Sequence, residues 1–149
     1  MKVAIGCDHA GIVMKNEIVP ALDGLDIEWV DMGTKSEESC DYPDYGERVA
    51  EAVSKGEADR GILICGSGIG MSIVANKFPG VRAALCHEDY SAKMSRLHND
   101  ANVLVLPGRI INAETAGNII KVWFKTDFEG GRHQKRLDKI TAIERRLNK

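Results

Sequence analysis

The sequence lacks the long apolar run that a membrane-spanning helix needs, and no basic segment with a long apolar core opens the chain. It also lacks the closely spaced cysteine pairs that zinc sites use. Its four cysteines are spread along the chain: Cys7, Cys40, Cys65 and Cys86. These absences predict a cytoplasmic protein with reduced thiols, no membrane association and no zinc centre.

Strong net charge, internal repeats and low-complexity segments are absent as well. The formal charge of −2 hides an asymmetry, because residues 132–149 contain seven Lys or Arg and only two Asp or Glu. This basic tail has no interleaved aromatic residues, and the acidic remainder of the chain repels polyanions, which disfavours nucleic acid as a partner. We expect the partner to be a small anion.

Strand and helix patterns alternate along the chain, which predicts a single domain over residues 1–149. Apolar runs indicate five strands, at residues 2–7, 27–32, 62–64, 81–86 and 102–106. Alternation of this kind favours a parallel sheet with helices on both faces. We therefore expect a three-layer α/β/α, doubly wound fold with strand order 2-1-3-4-5 and a C-terminal helix over residues 132–147.

Two local signals refine the predicted helices. Pro20 lies inside the first helical segment and is expected to kink or restart it. Asn112, with Thr115 three residues later, is a typical helix start because an asparagine side chain accepts a hydrogen bond from the first turn.

The segment Gly61 to Gly70, GILICGSGIG, organises the rest of the chain. A short buried strand ends at Cys65, and glycines alternate with other residues over the next five positions. Such a loop brings backbone N–H groups close to an anion before a helix begins. The competing interpretation is structural: Cys65 is a small buried residue, and the glycines merely form the turn.

The predicted fold favours the functional interpretation. In open parallel sheets, ligands bind beyond the carboxyl ends of the strands, where the strand order reverses. In the predicted order this point lies between the first and third strands, which end in Cys7-Asp8-His9 and Cys65-Gly66-Ser67. A helix amino terminus favours the thiolate, so Cys65 is a candidate base or nucleophile, and Ser67 with the loop N–H groups is a candidate oxyanion site.

Further candidates occur later in the chain. His98 ends the fourth predicted helix, where its imidazole is expected to exchange protons at the mouth of the sheet; a helix-end cation is the structural alternative. Arg132 and Arg136 share one face at the start of the last helix, and a phosphate between them offsets the unfavourable charge there. Arg109 is the third candidate guanidinium. The alternative is an ordinary solvated face.

Several motifs together closely resemble the type B ribose-5-phosphate isomerases, the group that also contains allose- and galactose-phosphate isomerases. The resemblance runs nearly end to end and lies in residues 6–11, 41–43, 64–70, 75–77, 95–102 and 129–133. It implies interconversion of ribose 5-phosphate and ribulose 5-phosphate through an enediolate, without cofactor or metal. It also implies a homodimer with active sites shared between subunits, and dimers that pair into tetramers stay an open alternative.

The resemblance assigns roles to individual residues. Cys65 is expected to move the proton between C2 and C1, and His98 to open the furanose ring. The residues expected to bind the sugar, the enediolate and the phosphate are Asp8, His9, Tyr42, Gly66, Ser67, Gly68, Ile69, Gly70, Asn99, Arg109, Arg132 and Arg136. Many relatives carry threonine in place of Ser67, so the hydroxyl is retained here with a less constrained rotamer.

Three other functions compete with this one. A hexose phosphate substrate, as in the allose and galactose enzymes, keeps the same mechanism. A nucleotide-binding oxidoreductase is suggested by Gly66-x-Gly68 after a strand and by Glu88 and Asp89 about twenty residues later, but Met71 replaces the third glycine. A sugar-phosphate-binding protein without turnover is the third.

Overall fold

The computed structural model describes residues 1–147, which form five strands and six helices. The strands are β1 (Lys2–Cys7), β2 (Glu28–Asp31), β3 (Arg60–Cys65), β4 (Ala83–Leu85) and β5 (Val103–Pro107). The helices are α1 (Ile12–Asp23), α2 (Tyr42–Ser54), α3 (Ile69–Ala75), α4 (Asp89–Leu97), α5 (Ala113–Lys125) and α6 (Arg132–Arg146).

The strands form one parallel sheet with helices on both faces, as predicted. Side chains alternate between the two faces along each strand, so Ile62 and Leu63 belong to different halves of the core. One half packs against α1 and α5, and the other against α2 and α3. Within residues 1–147, no helix is long and apolar enough to cross a membrane.

The predicted order of the last two strands is wrong. The sheet runs β2-β1-β3-β5-β4, so β5 lies beside β3 and β4 forms the edge. The reason is burial: all five residues of β5 are buried, whereas β4 has three residues, each half-buried. A short, partly exposed strand suits an edge better than the centre of a sheet. The reversal of strand order between β1 and β3 is found as predicted.

The exposed edge of β4 is covered by a side chain. The Asn76 amide nitrogen donates to the Ala83 carbonyl at 3.0 Å, and its oxygen accepts from the Ala83 N–H at 2.9 Å. The Asn76 amide thus makes both hydrogen bonds that a neighbouring strand would make with Ala83.

Two helix signals had different outcomes. The Asn112 side chain accepts from the Thr115 N–H at 2.8 Å, which confirms the predicted start of α5. Helix α1, by contrast, runs through Pro20 without restarting. Proline has no N–H to donate to the Asn16 carbonyl, four residues earlier. Pro20 and Asn16 are both exposed, so this carbonyl lies at the solvent side of the helix, where the free-energy cost of the missing hydrogen bond is small.

Candidate active site

Cys65 lies at the carboxyl edge of the sheet, where β1, β3 and β5 end. It is 5% exposed and packs into the half of the core that faces α2 and α3. The pairing of β3 with β5 continues beyond the strands, because the Cys65 carbonyl accepts from the Gly108 N–H at 2.8 Å and the Gly66 carbonyl accepts from the Arg109 N–H at 3.0 Å. We call this group of strand ends and loops the Cys65 edge; the name refers to the carboxyl ends of the strands and not to an edge strand such as β4.

The correct strand order explains how Arg109 reaches this edge. Its side chain lies over Gly66, where a Cβ added to the glycine would be 3.4 Å from the Arg109 Cδ. With β4 between β3 and β5, Arg109 would have been one strand further away. The β3-β5 pairing therefore brings a guanidinium to the glycine loop.

The loop after Cys65 has a backbone shape that only glycine adopts easily. Gly68 has φ of 77° and directly precedes α3. At Gly70, a Cβ would lie 2.6 Å from the ring of Tyr42, so the phenol at the start of α2 packs directly on the loop. The Ser67 hydroxyl accepts from the Ile69 N–H at 3.3 Å. Tyr42, Ser67 and the glycines thus lie together.

Asp8 and His9 follow β1 at the same edge. The Asp8 N–H donates to the Ile64 carbonyl, and its buried carboxylate accepts from the N–H groups of Ala10 and Gly11 at 2.9 and 3.1 Å. The Nδ1 atom of His9 accepts from the Cys40 N–H at 3.2 Å, which leaves Nε2 as the nitrogen that carries the proton in the neutral ring.

The core holds two further buried thiols, Cys7 and Cys86. Burial raises the pKa of Cys7 to about 11, and the nearby Lys15 ammonium only partly opposes this effect. Burial also raises the pKa of Cys86. Both groups therefore stay as thiols at neutral pH, and neither is followed by a glycine loop.

The predicted site residues His98 and Asn99 lie at the opposite end of the sheet, beside the amino ends of the strands. Helix α4 runs back from the end of β4, and Asn102, just after it, donates from its backbone N–H to the Arg82 carbonyl, before β4 begins. The length of β3, roughly 13 Å between Gly61 and Cys65, separates the two edges. Within one chain, His98 therefore does not reach the mouth of the sheet, contrary to the prediction.

Around His98 we find a compact group that we call the His98 edge cluster: His98, Glu129 and His133. The two imidazole rings stack, with centroids 4.1 Å apart and an angle of 14° between the planes. Glu129 Oε2 lies 3.2 Å from His133 Nε2 and 3.8 Å from His98 Nε2. Sequence reasoning gave no role to Glu129 or His133, and because Glu129 precedes α6, their spacing of four residues was not a helical signal.

The cluster has the ligand types of a metal site but the wrong geometry. Its three ligand atoms lie within 4.8 Å of one another. However, imidazole nitrogens coordinate along their own ring planes, and two nearly parallel stacked planes do not meet at one ion. The Arg132 Nε, 3.5 Å from His133 Nε2, adds positive charge at the same point. We therefore assign no metal here.

Arg132 and Arg136 extend the His98 edge at the start of α6. Both are exposed, and the first turn of the helix contains no acidic residue. The structure thus divides the predicted site residues into two groups. The Cys65 edge holds Asp8, His9, Tyr42, Cys65, Gly66, Ser67, Gly68, Ile69, Gly70 and Arg109, and the His98 edge holds His98, Asn99, Arg132 and Arg136.

Comparison with known proteins identifies the family. A family model described as Ribose/Galactose Isomerase matches residues 3–140. The chain belongs to this family. It is an isomerase, and the family relationship predicted from its motifs is confirmed.

Individual relatives match over nearly their whole length. Ribose-5-phosphate isomerase B of Escherichia coli strain K12 is 53% identical over 99% of both chains. The structure of ribose-5-phosphate isomerase B from Clostridium thermocellum matches with a TM-score of 0.95 and 52% identity, over 99% of both chains. The D-erythrulose-4-phosphate isomerase of Pectobacterium atrosepticum is 42% identical over 97% of this chain and 95% of its own.

The structure also weakens the oxidoreductase alternative. That alternative needs Glu88 and Asp89 near the glycine loop. Both residues follow β4, the edge strand, and β5 separates β4 from β3 and the loop after it. In a dinucleotide-binding fold, the acidic residue follows a strand next to the glycine-rich turn. The isomerase family and this strand order favour the same conclusion.

Proposed function

We propose that this isomerase interconverts ribose 5-phosphate and ribulose 5-phosphate through an enediolate, as the names of its relatives suggest. The observation that carries the proposal is the arrangement of Cys65, the glycine loop and Arg109 at one end of the sheet. A base beside several backbone N–H groups suits proton abstraction next to a carbonyl, because those groups stabilise the oxyanion that forms.

In this mechanism, the Cys65 thiolate removes the proton at C2 and returns it at C1. The N–H groups of residues 66–70 and the Ser67 hydroxyl stabilise the enediolate, while Asp8, His9 and Tyr42 hold the sugar hydroxyls. Burial of Cys65 excludes water from the transferred proton, which keeps it on the substrate.

The remaining groups come from a second copy of the chain. His98 opens the furanose ring by proton transfer, and Asn99 supports a hydroxyl. Because both lie at the far edge of their own sheet, a homodimer that places the His98 edge of one subunit against the Cys65 edge of its partner completes each site. Arg132 and Arg136 of one subunit then hold the phosphate together with Arg109 of the other.

The surface of α6 supports such an association. Ile140, Ile143 and Leu147 are each about half exposed on one side of the helix. A groove of about 440 Å³ lies between this helix and β4. A partner subunit that covers this apolar surface removes it from water, which is the usual driving force for a stable homodimer. All four cysteines are free, which fits the proposed cytoplasmic location.

The test is the rate of ribulose 5-phosphate formation from ribose 5-phosphate, for wild type and Cys65→Ala. We expect the variant to lose activity by a factor on the order of 10²–10⁴, the usual contribution of a general base, while retaining substrate binding. Cys86→Ala is the matched control, since it removes another buried thiol. Activity only on allose 6-phosphate would change the substrate, and no activity in the wild type would favour a binding protein.

A further inference from the structure

The His98 edge cluster contains two groups that the proposed mechanism does not use, Glu129 and His133. A backbone hydrogen bond holds Glu129 beside His98, and a second one forms the turn that leads into His133. The Glu129 N–H donates to the Leu97 carbonyl at 3.1 Å, directly beside His98, and the His133 N–H donates to the Gly130 carbonyl at 3.1 Å. The connector between α5 and α6 is therefore attached to the end of α4 at this point.

The stacked ring of His133 restricts how the His98 imidazole can turn. His133 is 3% exposed, so the protein holds this ring in place, and His98 lies parallel to it with more than a third of its side chain exposed. The inner ring thus acts as a platform for the outer one. A ring that moves protons between two oxygens of a sugar needs such a fixed plane.

Positive charge on both rings of the cluster at once is disfavoured. Two imidazolium rings at a separation of 4.1 Å would repel each other, and Arg132 and Arg136 from α6 add to that repulsion. Within residues 1–147, the Glu129 carboxylate is the only opposing charge that acts on His133. Burial and the charge of His98 lower the pKa of His133, so a proton on the buried ring is disfavoured.

We infer that Glu129 and His133 are positioning residues for His98, with the carboxylate stabilising the His98 imidazolium and the buried ring fixing its plane. This inference rests on the proposed role of His98 in ring opening. In that step, His98 takes a proton from the O1 hydroxyl and returns one to the ring oxygen as the C1–O4 bond breaks. In hydrolases a hydrogen-bonded carboxylate orients an imidazole and stabilises its charged form. Here Glu129 lies at ion-pair distance, 3.8 Å from His98 Nε2, so it stabilises the charge while the stacked ring sets the plane.

The test compares a sugar that has a ring with one that does not. Erythrose 4-phosphate has its C4 oxygen esterified, so it forms no furanose and needs no ring opening. We expect Glu129→Gln to lower kcat on ribose 5-phosphate at least about tenfold, and to change kcat on erythrose 4-phosphate less than about twofold. Asp127→Asn, an exposed carboxylate in the same connector, is the matched control and should leave both rates unchanged.

A second measurement requires no turnover, so it remains decisive if the chain rejects the four-carbon sugar or the proposed function fails. The imidazole C2–H resonance of His98, assigned with His98→Asn, is titrated by NMR in wild type and Glu129→Gln. Loss of the carboxylate should lower the midpoint of the His98 titration relative to wild type. His133→Phe keeps both the stack and the carboxylate, so it should not lower that midpoint. Equal loss of activity on both sugars, or an unchanged His98 midpoint in Glu129→Gln, would overturn the inference.

Discussion

The two edges of the sheet are built in different ways. At the Cys65 edge, hydrogen bonds of the main chain place the groups, such as Gly108 to the Cys65 carbonyl. At the His98 edge, side chains do most of this work, since Asp100 binds both Arg82 and Arg96, and the two imidazoles stack. One edge is therefore fixed by strand pairing, whereas the other adds ion pairs and ring packing to main-chain bonds such as that from the Glu129 N–H to the Leu97 carbonyl.

This difference bears on how the site works. In the proposed mechanism, the Cys65 edge supplies the base and the oxyanion donors. Among its described residues, His9 is the one imidazole, and its Nδ1 is already bonded. The His98 edge supplies the proposed proton carrier and guanidinium groups, but no thiol. Each edge has what the other lacks, so the proposed dimer combines two incomplete halves.

The strongest test of this complementarity is a mixture of two inactive variants. Cys65→Ala and His98→Ala homodimers should each lose most ribose 5-phosphate isomerase activity. After denaturation and refolding together in equal amounts, half of the dimers are mixed, and each mixed dimer contains one intact site, so about a quarter of the wild-type rate should return. The initial rate before and after co-refolding is the measurement.

Two controls accompany this mixing experiment. Each variant refolded alone should regain its secondary structure and stay inactive. Cys65→Ala and Ser67→Ala alter the same edge, so refolding them together should restore no activity. Every site then receives a Cys65 edge that lacks either the thiol or the hydroxyl. Recovery equal to the first pair would contradict the division of the site.

Removal of the proposed phosphate-binding groups should have the next largest effect. Arg132→Ala and Arg136→Ala should each lower kcat/KM for ribose 5-phosphate by about tenfold to a hundredfold, since a charged hydrogen bond contributes about 1.5–3 kcal/mol. The change should appear mainly in KM, because the phosphate is held throughout the reaction. Arg145→Ala, at the exposed far end of the same helix, is the control. Unchanged KM in both variants would exclude this phosphate site.

The ion pair between Lys15 and Asp31, beneath the Cys65 edge, should make the stability of the fold depend on pH. The buried Lys15 ammonium donates to Asp31 at 2.8 Å and to the Thr34 carbonyl at 3.0 Å. Burial alone would raise the pKa of Asp31, but hydrogen bonds from Lys15, Lys35 and the Gly33 N–H outweigh it and lower that pKa. Stability from this group is therefore present above the unfolded value of about 3.9 and is lost as the pH falls through the folded value.

Asp31→Asn should accordingly lower the free energy of unfolding by about 2 kcal/mol at neutral pH, because Lys15 stays buried without its charged partner. The difference from wild type should shrink in acid, where Asp31 is protonated in both states. Urea unfolding at neutral and acidic pH measures it, with the exposed Asp26→Asn as control. An equal difference at both pH values would contradict the ion-pair explanation.

The smallest expected effects concern two glycines. Gly68→Ala places a side chain at φ of 77° and a Cβ 2.4 Å from the Leu85 Cδ1, so it should destabilise by roughly 1–2 kcal/mol. Gly117→Ala, inside α5, meets only the Ala21 Cβ at 3.7 Å and should stabilise by about 0.5–1 kcal/mol. Thermal melting of both variants compares them, and the same sign for both would contradict this account.

The sequence allowed much of the Cys65 edge to be predicted, because its signals are local. A buried strand, a cysteine and alternating glycines occur within ten residues, and the fold rule for parallel sheets places them next to Asp8. The strand order needed more than local patterns. Both β4 and β5 read as short apolar strands, and only the packed structure shows that β5 has both faces covered.

The His98 edge was less predictable for the same reason. The position of His98 at the end of α4 was foreseen, but its neighbours come from the connector after α5 and from α6, about thirty residues later. Contacts between helix ends so far apart leave no periodic trace in the sequence. The direction of α4 also decides which edge its end occupies, and this follows from topology rather than from residue type.

The side chain of Asn76 has a consequence for how copies of this protein meet. Unprotected edge strands recruit further strands and start fibrous aggregates. Because the Asn76 amide occupies both backbone groups of Ala83, a second chain finds no free partner there and cannot extend the sheet at that residue. The dimer proposed above accordingly uses a helical surface, that of α6, and an assembly closed in this way does not grow without limit.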